Sequence, residues 1–306
     1  MTSDYARFEG HIAADNSARW NQSWYYQAYD PATRSGLFIR IGLLENQKEA
    51  NSWLIAFRDG QPLFTRTNLN LPYTAQRPAG GMNIAGMLIH AEVPLKQTRI
   101  SFSSADFEFD LVWDELHPMV DCIALSQDQD GSFAREMAHV HLEGTSIVSG
   151  RIVYRGEALA FNGKGFRDIA AGVRNWDGLQ HYRLAWPVFE NGTAFAGVHG
   201  ISTGGQSAWL RMFHDGSRWM RVKQIDDRMD FDAEGFAITG ASWRFVDELD
   251  RVHEMTAKPL FRWLFPLDTF VLCEQLAEFR LNDGTVGYGL YETGYRLPWK
   301  GLPASA

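Results

Sequence analysis

Cysteine is nearly missing. The 306 residues hold two, Cys122 and Cys273, far apart in sequence. That excludes a secreted disulfide scaffold and points to two buried thiols in a reducing compartment. No run of about 18 apolar residues occurs, so no membrane-spanning helix is expected. The first residues, Met1 to Tyr5, lack a basic stretch followed by an apolar one, and the expected location is the cytoplasm. Positive charge is in deficit. The net charge of -8 speaks against non-specific binding to nucleic acid or anionic lipid. Three chemical signatures are also missing: the Gly-x-Ser-x-Gly elbow, the Lys-bearing phosphate loop and the dinucleotide fingerprint after a strand. Hydrolase triads, kinases and nicotinamide enzymes therefore fall away. Helical signals are sparse, confined to residues 45–52 and to 257–278, where Pro259 and Pro266 break the pattern. Low-complexity segments are absent too.

What is abundant is aromatic. Phe, Trp and Tyr make up 13% of the chain, with 11 Trp, a composition that favours β-structure and ring-walled apolar cavities. Shifting the sequence by about 156 residues aligns Trp20 with Trp176, Tyr26 with Tyr182, Pro31 with Pro187 and Gly36 with Gly192. Further on, Trp53, Leu54, Phe57, Asp59 and Gly60 align with Trp209, Leu210, Phe213, Asp215 and Gly216. That makes about nine identities where random matching gives roughly three. Both copies read as strands. Leu37–Leu44, Ser52–Phe57, Thr193–Gly200 and Ala208–Phe213 are expected strands, with Asp-Gly turns after 58 and 214. Phe102–Val112 alternates and reads as one strand. Leu69–Met82 and Ser126–Ser132 read as loops. The expected fold is mainly β: two domains related by an internal repeat, residues 1–158 and 159–306.

The densest chemistry lies in 163–176, read as a strand end entering a tight loop, and expected to join the two β-domains and line the site between them. Arg167 and Asp168 would point to opposite faces of an extended backbone, so Arg167 need not neutralise Asp168. An Asp in an apolar pocket can keep its proton near pH 7 and act as an acid; the structural alternative is an ion pair of Asp168 with Arg174 or Arg151. Residues His139, His141 and Glu143 would share one strand face, as an acid/base face or as a plain polar one; with no accompanying ligand set, no metal is expected. Trp176, Tyr182 and Trp186 would line a cavity or fill a barrel core. The single histidines His181 and His199 fit hydrogen-bonding roles in β-segments. Glu292, in a Tyr-rich final hairpin, is a second candidate carboxylate.

The run from His139 to Gly144, then Gly150–Gly156, Gly165–Asp168 and Gly172–Trp176, resembles the core of the two-domain lipocalin-like superfamily that includes carotenoid 1,2-hydratase (hydroxyneurosporene synthase). The likeness extends to 283–292. It implies two tandem lipocalin-like β-barrel or half-barrel domains with a ligand cavity at or near their interface, and hydratase or cyclase chemistry on hydrophobic molecules. At 169–171 this chain has Ile-Ala-Ala where the family pattern has His-Ser-Trp, which implies either a more apolar pocket for a different substrate or the loss of hydration chemistry. The expected function is a cofactor-free acid/base enzyme, a hydratase/lyase, isomerase or cyclase, on a terpenoid, steroid or aromatic compound. Asp168, Glu292, His139 and His141 would be catalytic, and Arg167, Arg174, Trp176, Tyr182, Trp186 and His199 would bind the ligand. The alternatives are a non-catalytic carrier of a hydrophobic ligand and a carbohydrate-binding module. No cofactor is expected, the partner is a hydrophobic small molecule, and a homodimer is left open.

Overall fold

A computed structural model describes residues 5–72, 81–125, 138–174, 176–233, 235, 237–267 and 269–298. The chain divides into two compact units, Met1–Asp121 with Ala138–Arg174, and Cys122–Met137 with Asn175–Ala306. The expected break between residues 158 and 159 falls inside a long strand, Glu157–Val173, which pairs on both sides within the first unit. The units divide after Arg174 instead. The expected loop at 126–132 lies outside the described residues.

In the first unit, ten strands form one antiparallel sheet curled into a half-barrel. They are β1 (Trp20–Asp30), β2 (Ser35–Leu44), β3 (Glu49–Arg58), β4 (Gln61–Pro72), β5 (Gly81–Ile84), β6 (Met87–Val93), β7 (Gln97–Ser103), β8 (Phe107–Asp121), β9 (Val140–Tyr154) and β10 (Glu157–Val173). Their order is β4-β3-β2-β1-β10-β9-β8-β7-β6-β5, so β1 and β10 meet in the middle and β4 and β5 are open edges. One face of the sheet carries the core: Trp24, Tyr26, Ile39, Leu54, Leu111, Trp113, Ile169 and their neighbours. Period-two alternation puts every second residue there. A 3-10 turn, Ala6–Glu9, lies on this face. The Trp24 indole donates to the Phe8 carbonyl (3.2 Å), and the Gln22 amide donates to the Phe8 and Gly10 carbonyls (3.3 and 2.8 Å). Phe8 itself is buried in the core.

The second unit is a closed barrel of eight strands: β11 (Leu179–Phe189), β12 (Ala194–Ser202), β13 (Ser207–His214), β14 (Trp219–Phe231), β15 (Ile238–Asp247), β16 (Val252–Leu267), β17 (Phe270–Leu281) and β18 (Val286–Arg296). Closure leaves no edge strand. Phe195, Phe213, Phe245, Trp243, Phe279 and Tyr291 belong to its core cluster.

Most expected strands are present, and several readings change. The expected loop Leu69–Met82 is strand at its described ends, in β4 up to Pro72 and in β5 from Gly81, with 73–80 outside the described residues. Residues 163–173 are continuous strand in β10. Phe102–Val112 is two strands, since β7 ends at Ser103 and β8 begins at Phe107, with the Ser104 hydroxyl tying off the turn to the Phe107 carbonyl. Of 45–52, only Glu45–Gln47 is helical, as a single 3-10 turn; Lys48 then takes the left-handed conformation and the chain enters β3. Residues 257–267 and 270–278 are strand, in β16 and β17. Pro259 stands at a register shift, where a strand does not need its missing N–H. No helix among the described residues is long and apolar enough to cross a membrane.

Candidate functional site

Alternation along β10 sends Arg167 and Asp168 to opposite faces of the sheet. Arg167 turns into the half-barrel core and is fully buried. Its Nη2 and Nη1 donate to the two carboxylate oxygens of Glu9 (2.8 and 3.0 Å), and Nη1 also donates to Thr98 Oγ1 (2.9 Å). Its Nε donates to Glu115. Burial pushes the Glu115 carboxyl up to about 7, against the pull of the Arg167 charge and hydrogen bond. Glu9 also accepts from the Leu95 N–H (2.7 Å). Arg167 was expected to bind ligand, and its side chain is instead spent on these contacts within the core.

The opposite face carries a different group. Register places Tyr25, Asp168 and Glu143 in one row across β1, β10 and β9, and Ser23, Ala170 and His141 in the next. The His141 Nε2 lies 3.4 Å from Glu143 Oε1 and 3.6 Å from Asp168 Oδ2. Burial works to lower the His141 pKa. The nearby carboxylates of Glu143 and Asp168 outweigh it, so that the pKa rises above its ordinary value despite some opposition from Arg174. Arg174 follows β10 and its Nη2 donates to Ser23 Oγ at 3.5 Å. The ring of Tyr25 stacks on Phe166 at 5.6 Å. The result is an imidazole held between two carboxylates, with a hydroxyl and a guanidinium in the neighbouring row. Such a group can hold a proton near neutrality and pass it over a short distance.

His139 does not join it. The residue precedes β9, is exposed, and its ring packs edge-on against Trp20 at 6.0 Å. Its N–H donates to the Ala171 carbonyl. A Cβ at Gly172, where φ is +139°, would stand 2.4 Å from that same nitrogen, so the close approach requires glycine.

The remaining expected residues sit in the second unit. The Tyr182 hydroxyl donates to Glu292, and the Tyr182 ring stacks on Phe270 (6.0 Å) beside Trp176, which lies 5.2 Å from the same Phe270 ring. Trp186 is buried edge-on against Trp219. His199 stacks flat on Trp209 at 4.3 Å, and burial lowers its pKa to about 3. Sequence reasoning missed Glu9, Glu115 and Ser23. The first two are separated from Arg167 by 158 and 52 positions, and no local pattern marks them.

Solved structures share this architecture. An AttH-like protein of Nitrosomonas europaea superposes with a TM-score of 0.66 at 12% identity, covering 92% of this chain and 94% of that one. Kievitone hydratase of Nectria haematococca gives 0.62 at 11% identity, covering 95% and 92%. CghA in complex with Sch210972 gives 0.62 at 10% identity, covering 94% and 93%. The likeness is one of fold, and the mainly β fold of barrel and half-barrel domains expected from the sequence is borne out. A family model described as Domain of unknown function (DUF7064) matches residues 8–295. A search of curated proteins by sequence found no match.

Proposed function

We propose that this chain, which belongs to the family described as Domain of unknown function (DUF7064), is a cofactor-free acid/base enzyme acting on a hydrophobic small molecule, with water addition or elimination as its reaction. The observation that carries the reading is the His141 imidazole lying 3.4 Å from Glu143 and 3.6 Å from Asp168. The printed name of one structural neighbour, a hydratase, agrees with it. In the hydration direction, the His141 imidazolium gives a ring proton to an alkene carbon. Water adds to the cation so formed and loses its proton to the Asp168 carboxylate. The proton returns from Asp168 to His141, and the catalyst is restored. Glu143 keeps the imidazolium favourable throughout, and Ser23 and Arg174 orient the substrate oxygen. Elimination runs the same steps in reverse. Such proton transfers contribute about 100- to 10,000-fold each.

The test is incubation of the full chain in deuterium oxide with a panel of terpenoid, prenylated aromatic and polyene compounds, read by mass spectrometry. Gain or loss of water, or solvent deuterium on carbon, is the expected signal, abolished by His141→Gln and Asp168→Asn. Turnover that survives both substitutions in folded protein removes the assignment. A compound bound tightly and recovered unchanged identifies a carrier instead.

A further inference from the structure

His141 and Glu143 have no further metal ligand near them in sequence, and the end of β8 supplies one. Cys122 directly follows Asp121, the last residue of β8, and Asp121 stands opposite Leu142 in β9. Consecutive Cα atoms are about 3.8 Å apart, so the β8–β9 pairing itself carries Cys122 to the level of His141. Leu142 belongs to the core, and alternation turns His141 and Glu143 to the opposite face. There the Cys122 Sγ, a His141 ring nitrogen and a Glu143 carboxylate oxygen all lie within 4.8 Å of one another. Cys122 is buried and in no disulfide.

The spacing suits ligands of one ion better than partners in a hydrogen bond. The His141 Nε2 stands 3.4 Å from Glu143 Oε1, beyond the usual range of about 2.7–3.2 Å for N–H···O. That nitrogen is buried and makes no hydrogen bond. Two bonds of about 2.1 Å meeting at the tetrahedral angle set nitrogen and oxygen about 3.4 Å apart, and a thiolate bonded at about 2.3 Å stands about 3.6 Å from each. The Cys122 Sγ therefore has about 1 Å to close at most. Asp168 Oδ2, 3.6 Å from the same nitrogen, is a further oxygen within reach.

The donor set selects the ion. Calcium and magnesium take oxygen ligands. One thiolate, one imidazole and one carboxylate suit four-coordinate zinc, with Asp168 or water in the fourth position. Thiolate and carboxylate together also cancel the charge of the ion where water is scarce.

We propose that Cys122, His141 and Glu143 form a zinc(II) site, and that zinc bound there takes the place of the proton on His141 Nε2. Binding sends the thiol proton, and any proton on that nitrogen, to water. The site itself does not depend on the acid/base reading. Its consequence, that zinc silences proton transfer by His141, rests on that reading.

The experiment strips the full chain with EDTA and titrates it with zinc against a chromogenic chelator, then with cobalt(II) read by absorption, while NMR follows the His141 ring. One zinc per chain, a thiolate-to-cobalt charge-transfer band and a His141 ring that no longer moves with pH once zinc is bound are the expected results. Cys122→Ser should abolish the band. Glu143→Gln should weaken zinc more than about tenfold, since even outer-shell changes cost about 10- to 100-fold. Cys273→Ser should alter neither. No stoichiometric zinc, a cobalt spectrum without the thiolate band, a His141 ring that still titrates with zinc bound, or full binding by Cys122→Ser overturns the proposal. Where Cys122→Ser does not fold, the wild-type spectrum and Cys273→Ser decide between the two thiols, and a band lost in Cys273→Ser overturns it. No readout here uses a substrate. Failure to bind zinc leaves the acid/base reading standing, and a lack of turnover leaves the zinc site standing.

Discussion

Replacing Glu115 by Gln changes how stability depends on pH, by an amount the core geometry sets. Glu115 stands against the buried Arg167, which also holds Glu9, and burial raises its carboxyl to about 7. In the unfolded chain a Glu titrates near 4.3. A carboxyl raised on folding binds its proton more tightly in the native state. Its contribution is therefore fully present below the unfolded pKa and is lost as pH rises through the folded one. Integrating the linkage between pH 5.0 and 7.5 gives a loss of about 2 kcal/mol from this one group. Other groups titrate in the same window. His141 is raised and loses stability with rising pH. His181 and His199 are lowered, and their stability returns as pH rises toward 6.5. The total pH profile is thus a sum of opposing parts, and the useful quantity is a double difference. Urea unfolding, followed by tryptophan fluorescence at pH 5.0 and 7.5, is compared between the wild type and Glu115→Gln. The substituted protein should lack about 2 kcal/mol of the decline, and it should hold up better relative to wild type at pH 7.5 than at pH 5.0. Equal changes in the two proteins would refute the account of the Arg167 cluster.

Arg167→Met leaves Glu9 and Glu115 buried without their cation and should cost about 3–5 kcal/mol, measured by the same unfolding experiment. Gly172→Ala puts a Cβ 2.4 Å from the His139 nitrogen at a φ of +139° and should destabilise by more than about 1 kcal/mol; a neutral result shows that the 138–140 backbone yields. The His141 ring should titrate above 6.5 by NMR, and Asp168→Asn should lower its midpoint, because one of the two carboxylates that hold the proton is gone. The part of stability due to His181 and His199 should fall as pH drops from 6.5 toward 3, where unfolding lets them take up protons, so His181→Gln with His199→Gln should lose less stability over that range than wild type does.

Alternation and turn chemistry made much of the fold legible. Asp59 and Gly60 both take positive φ in the β3–β4 turn, as an Asp-Gly pair between strands suggests. The opposite placement of Arg167 and Asp168 follows from the same period of two. Length and pairing were harder to read. Nothing in the Gly-punctuated stretch 163–172 announces one continuous strand. Gly163 and Gly165 open the stretch read as a strand end entering a tight loop, and a Cβ at either would stand about 2 Å from the Tyr29 or Gln27 carbonyl of β1. They are there so that two strands can press together. Pro259 reads as a helix breaker and instead stands at a strand irregularity. The site was half legible: His141 with Glu143 follows from spacing, but Asp168 joins them only through the β9–β10 register, and Ser23 only through β1. Pairings of that kind depend on the whole sheet.

The central pairing of β1 with β10 bears on how the chain emerges from a ribosome. Strands β1 to β4 can zip together as a meander soon after synthesis, but the free flank of β1 must wait for a partner about 150 residues downstream, roughly 8–30 seconds at ordinary elongation rates. During that interval a run of ordered backbone donors and acceptors from Trp20 to Tyr29 stands unmated, and Glu9 has not yet met Arg167. The helix Cys122–Leu125, assigned to the second unit, is also made before the first unit is complete. The first unit therefore cannot complete its sheet until β10 is made, and the newborn polypeptide is most exposed to chaperones and to misassociation before residue 173 is released.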